Sequence, residues 1–136
     1  MSIDPRINSL FDQANQLFLK KKFKEAISFY DLILESQPKH SSVLNNKGYA
    51  LSKSGQYEEA LKCYEKALEE NPDDTSVLIN KISALRKLGD YQQSLEICDQ
   101  ILQKTPDYNV VLYHKERILF SLEKYQESRS EERRVG

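Results

Sequence analysis

The sequence predicts an all-α array of helix–turn–helix repeats, and three observations predict it. Pro38, Pro72 and Pro106 fall 34 residues apart. The aromatic positions Phe23, Tyr57, Tyr91 and Tyr125 keep the same step, as do the leucine ladders Leu17, Leu51, Leu85, Leu119 and Leu10, Leu44, Leu78, Leu112. Between successive prolines, apolar residues recur at helical spacing in two runs separated by a break. A fixed period of this size marks stacked supersecondary units, none of which buries its apolar face alone, so about three are the minimum for stability.

Each element follows from its residues. Residues 1–6 are a lead-in and residues 7–40 the first unit. The second unit, 41–74, shows the pattern most fully. Leu44, Gly48 and Leu51 share one helical face, and Gly55-Gln56 breaks that helix. Tyr57, Ala60, Leu61, Tyr64, Ala67 and Leu68 form a second amphipathic run, which Asn71-Pro72 stops because proline cannot continue the hydrogen-bond ladder. Asp73 and Asp74 can cap the next helix. In the third unit, 75–108, Gly89-Asp90 makes the inner turn, and Asp90 with Gln93 has the spacing of a capping box. A fourth, incomplete unit covers 109–128.

The 136 residues suffice for one domain with a real core. The formal net charge of -1, from 20 basic and 21 acidic residues, disfavours non-specific nucleic-acid binding. Cys63 and Cys98 form no CxxC pair and lack a histidine at metal-ligand spacing, so both read as small core residues and no metal or other cofactor is implied. The N-terminal MSIDPRINSL has no basic region followed by an apolar run, and no apolar stretch is long enough to span a bilayer. The expectation is a cytoplasmic protein without membrane contact.

The chain resembles the tetratricopeptide repeat family over roughly residues 7–128. The carriers are Leu44, Gly48, Leu51, Ala60, Tyr64, Ala67 and Pro72 in the unit from Ser41, and Leu10, Ala14, Leu17, Ala26, Tyr30 and Pro38 in the unit from Ile7. The unit from Thr75 is looser, with Ile82, Ser94, Cys98 and Ile101 at pattern positions. The resemblance implies a right-handed α-solenoid of three full repeats and a truncated fourth. It also implies close helix crossings at Ala14 with Ala26 and Gly48 with Ala60. Gln13, Lys47, Lys81 and Lys115 replace the usual leucine, and their stems can cover apolar surface while the charge reaches water. Glu116 stands where the family has a small residue, which predicts an irregular or frayed fourth unit.

In this family the first helix of each repeat lines a concave ligand face. The positions implied here include Asn15, Asn46, Tyr49, Asn80, Arg86, Lys87, Tyr113 and Arg117, the expected peptide-binding residues. Asparagine amides both donate and accept, so Asn15, Asn46 and Asn80 form an expected polar floor, exposed to a peptide backbone. The face carries Lys53, Arg86, Lys87 and Arg117 against the single acid Asp12, which suggests an acidic segment or a free carboxylate as ligand. The five-residue clamp with which some members hold chaperone C-termini is not reproduced: Phe11, Ser76 and Asn80 stand where it needs basic residues.

Catalysis has no support. There is no Gly-rich phosphate loop, and His40 and His114, without orienting partners, read as surface side chains. The expected function is a non-enzymatic scaffold binding a peptide or protein segment; the alternative is a regulatory or oligomerising segment of a longer enzyme or signalling protein. Self-association through an uncapped C-terminal repeat is a further expectation. The last eight residues, 129–136, read RSEERRVG and depart from the repeat pattern. They match the in-frame translation of a common sequencing adapter, AGATCGGAAGAGCGTCGTGTAGGG, and are therefore expected to be a non-native tail.

Overall fold

The computed structural model describes residues 4–135, the side chain of Val135 excepted. The first three residues and Gly136, parts of the lead-in and of the adapter-like tail, lie outside the described residues. Among the described residues seven helices follow one another: α1 (Pro5–Leu19), α2 (Phe23–Ser36), α3 (Ser41–Lys53), α4 (Tyr57–Glu70), α5 (Thr75–Leu88), α6 (Tyr91–Lys104) and α7 (Asn109–Val135). They form three antiparallel pairs, and α7 takes the place of a fourth first helix. The architecture is a right-handed α-solenoid.

The helix ends repeat with the sequence. Asp4 caps α1, its carboxylate accepting from Arg6 N–H at 3.0 Å. Asp74 caps α5, accepting from Val77 N–H at 3.4 Å. His40 holds the equivalent place before α3, where its Nδ1 accepts from Val43 N–H at 3.3 Å. It is therefore a half-buried cap rather than the surface side chain its sequence context implied. Asp90 accepts from Gln93 N–H at 3.3 Å.

Three inner turns place one residue each in the left-handed region: Lys21 at φ 62°, Gly55 at 80° and Gly89 at 82°. These positions are 34 residues apart, so the first repeat uses a lysine where its successors use glycine. A Cβ there costs on the order of 1 kcal/mol, partly offset by the extra freedom glycine brings to the unfolded chain. Lys21→Gly is expected to raise stability by about 0.5–1 kcal/mol in denaturant unfolding. A loss of stability would mean that the lysine stem makes a packing contribution outweighing the strain.

The next position in this series is Glu123, in the sequence Ser121-Leu122-Glu123-Lys124. Nothing there breaks a helix, and α7 runs through the place of the turn to Val135. The fourth unit is thus one long helix rather than the irregular segment expected from Glu116. From Glu123 to Arg134 every side chain is exposed.

Packing between the two helices of a pair depends on matched volumes. A Cβ placed on Gly48 would lie 2.5 Å from Cε1 and 2.8 Å from Cδ1 of Tyr64. The Tyr64 ring is therefore a close partner of Gly48, one that the Gly48–Ala60 pairing read from the sequence did not include. Ala14 and Tyr30 occupy the same two positions in the first repeat, and Ile82 and Cys98 in the third, all fully buried. The larger residue at one position goes with the smaller at the other. Cys63 and Cys98 are buried, and burial pushes the Cys98 thiol up to about 11. Between repeats, Lys47 pairs with Asp31 at 2.6 Å and Lys115 with Asp99 at 2.7 Å. Both lysines lie half-buried at the seam, as expected of stems covering apolar surface.

Candidate functional site

The first helices make the inner layer of the stack. Besides its sequence neighbours, α5 packs on α3 and α7, its counterparts in the adjoining repeats, whereas the second helices show no comparable contact. The layer whose members approach one another is the concave one, and side chains facing away from the second helices line it.

The asparagines there are tied to one another. Tyr30 donates its hydroxyl to Asn15 Oδ1 at 2.6 Å, and Asn46 Nδ2 donates to the same oxygen at 3.3 Å. One repeat later, Asn80 Nδ2 donates to Asn45 Oδ1 at 2.9 Å. All four amides are half-buried, so they link successive inner helices instead of forming the exposed floor expected of them. Burial pushes the Tyr30 phenol up, with the Asn46 amide opposing the shift. Tyr64, whose hydroxyl lies 3.3 Å from Ser52 Oγ, is pushed up to about 12, first by burial.

Two clefts open on this layer. The first, of about 240 Å³, is lined by Tyr49, Ser52, Lys53, Asn80, Ser83 and Lys87, with Tyr57 and Tyr64 at its base. Tyr49 is packed against Phe18, ring centroids 5.3 Å apart, and carries the Lys53 ammonium 5.2 Å from its own centroid. The second, of about 390 Å³, lies along α7 between Tyr113, Glu116, Arg117, Phe120 and Ser121. Arg117 lies over the Tyr113 ring at 5.5 Å, and both aromatics are more than half exposed, Tyr113 at 53% and Phe120 at 60%. The eight expected site residues therefore fall into separate groups. Asn15 and Asn46 bond to each other, Tyr49, Asn80 and Lys87 share the first cleft, and Tyr113 and Arg117 the second. Arg86, on α5, is half-buried and lines neither cleft.

His114 is buried, only 9% exposed, contrary to its reading as a surface residue. It occupies the repeat position of Asn46 and Asn80, and that register is the signal that it belongs to the inner face. Its pKa is lowered from 6.5 by burial first and then by Arg86 and Arg117. A histidine depressed in the folded state contributes stability that is present above its unfolded pKa and lost as pH falls below it. Thermal stability is expected to drop as pH is lowered below about 6.5, and His114→Gln to flatten that dependence. An unchanged pH profile in the variant would place the acid sensitivity elsewhere.

Among the described residues no helix is long and apolar enough to cross a membrane. No curated protein matches the sequence. The tetratricopeptide repeat profile matches residues 41–74. Among solved structures, the Sgt2 TPR domain from Aspergillus fumigatus superposes with a TM-score of 0.80 at 21% identity, covering 93% of this chain and 85% of that one. The second TPR domain of human RPAP3, solved with the HSP70 peptide SGPTIEEVD, gives 0.75 at 21% identity, with 81% and 92% covered. The first TPR of Spaghetti (RPAP3), bound to the HSP90 peptide SRMEEVD, gives 0.80 at 18% identity, with 88% and 96% covered. The profile matches one repeat, and the same 34-residue period on both sides of it, with the shared fold, makes the chain similar to tetratricopeptide repeat proteins over most of its length.

Proposed function

We propose that the inner face binds an extended peptide or protein segment of acidic character, and that the chain acts as an interaction scaffold. The observation carrying this reading is the pair of clefts on α3, α5 and α7, whose charged lining is mainly cationic: Lys53 and Lys87 in one, Arg117 in the other, with Glu116 the opposing acid. Aromatic rings beside cations give a surface that holds apolar and acidic groups together. The two RPAP3 domains are similar in fold and were solved with peptides ending in EEVD or MEEVD, which supports the peptide class. Phe11, Ser76 and Asn80 leave no basic side chains at the chaperone-clamp positions, so an acidic ligand would be read by the other cations of the groove.

A ligand selected from a random peptide library supplies the probe. Lys87→Glu with Arg117→Glu is expected to weaken its binding at least tenfold with the melting temperature unchanged, because both side chains are exposed. Undiminished binding would contradict the reading. Asn46→Ala and Asn80→Ala are each expected to cost about 1 kcal/mol of stability as well as affinity, since each amide spans two helices. A second reading, self-association along α7, is favoured by Leu112 and Leu119, two turns apart on one face and 41% and 47% exposed. Sedimentation showing a monomer throughout the micromolar range would remove it.

A further inference from the structure

Among the described residues, two buried side-chain nitrogens lack any hydrogen-bond partner: Arg86 Nε and His114 Nδ1. They belong to adjoining inner helices, α5 and α7, which pack on one another. Buried polar groups are nearly always satisfied, so these two orphans lack partners that an outside group could supply once the side chains turn toward the groove. The charge around them defines that group. Arg86 and Arg117 both act on the imidazole. Neither is in an ion pair among the described residues, and the acids nearby do not answer them. Asp99 of α6 is held by Lys115 at 2.7 Å, and Glu116, on the wall of the α7 cleft, pairs with no cation. Lys87 adds a further cation on α5.

We infer that Arg86, His114 and Arg117 form a carboxylate-binding subsite of the groove, occupied by an acidic side chain of the bound segment, and that its occupation is coupled to protonation of His114. This rests on the peptide-groove reading. The guanidinium Nε–H of Arg86 donates to the carboxylate, and Arg117 closes over it from the Tyr113 side. Binding an anion beside His114 offsets the two guanidinium charges and favours the imidazolium, so the ring takes up a proton from solvent and Nδ1–H becomes a second donor. Carboxylates stay ionised well below the range in which the ring titrates. Affinity therefore rises as pH falls from 8 to 6, roughly tenfold for each unit by which the ligand raises the histidine pKa.

The chain has two histidines, His40 and His114, and the Cε1–H signals of the two rings can be followed separately by NMR. Three probes are titrated between pH 5 and 8: acetyl-Gly-Glu-Glu-Gly-amide, its Gln-Gln counterpart, and sodium sulfate. The glutamate peptide and sulfate are expected to raise the His114 midpoint and leave His40 in place, while the glutamine peptide moves neither. His114→Gln is expected to retain the glutamate peptide's amide shifts on α3 and α5 but lose the dependence of its affinity on pH. Because sulfate can enter whatever the peptide does, it separates the subsite from the groove. A sulfate effect on His114 without peptide shifts on α3 and α5 overturns the groove reading. A His114 midpoint unmoved by both sulfate and the glutamate peptide, or a pH dependence that survives His114→Gln, overturns the subsite.

Discussion

Gly48→Ile is expected to cost at least about 3 kcal/mol, and adding Tyr64→Cys to restore most of it. The first Cβ atom alone meets the Tyr64 ring at 2.5 Å, closer than real Cβ contacts come, and the ring is fully buried. Isoleucine adds further carbons to the same overlap. The compensating change is already present one repeat later, where Ile82 and Cys98 hold the equivalent positions and both are buried. Rescue will be incomplete, because Tyr64→Cys also removes the hydroxyl beside Ser52. A double-mutant cycle in urea measures the coupling. Additive losses would mean that the two positions do not share one volume, and the account of helix pairing given above would be wrong.

The second large effect is Ala60→Leu. Ala26, Ala60 and Ser94 recur 34 residues apart, and each is fully buried. Ser94 is tolerated because its hydroxyl donates to the Tyr91 carbonyl at 2.9 Å. Leucine adds three carbons at a seam that admits none, at a cost of roughly 1–3 kcal/mol or more. In a solenoid the damage should spread to neighbours before it reaches the ends, since each repeat contacts only adjoining ones. Hydrogen exchange is expected to show protection lost first in α3, α4 and α5, with α7 least affected. A variant as stable as the parent would show that this crossing is looser than the buried alanine indicates. Charge changes in the groove at Lys87 should leave stability untouched by comparison.

The fold was legible because a repeat array is nearly one-dimensional: each apolar position meets partners within its own period or the next, so spacing alone assigns faces. Turn chemistry was readable where glycine supplied the left-handed residue, at Gly55 and Gly89, and hidden at Lys21, where a lysine adopts that conformation under the constraint of its neighbours. The continuity of α7 followed from the lack of a breaker between Ser121 and Lys124, a local fact that the poor fit of Glu116 obscured. The site was less legible. Asn46 and Asn80 bond to residues 31 and 35 positions earlier, contacts set by the rotation between repeats rather than by any local pattern. A position-by-position comparison also missed Gly48 with Tyr64, because the relevant quantity is the sum of two volumes. His114 looked like a surface residue for want of partners along its own helix. Its environment comes first from burial, then from Arg86 on the neighbouring helix and Arg117 on its own.

The central claim is that ligands enter on the inner layer. The most direct test is backbone amide mapping, by NMR, of the intact chain with a library-selected peptide bound. Shifts are expected to concentrate on α3, α5 and the first half of α7, around Tyr49, Asn80, Lys87, Tyr113 and Arg117, with α4 and α6 silent on their outer faces. Shifts centred on the outer faces of α4 and α6, with Tyr49 and Tyr113 unmoved, would contradict it.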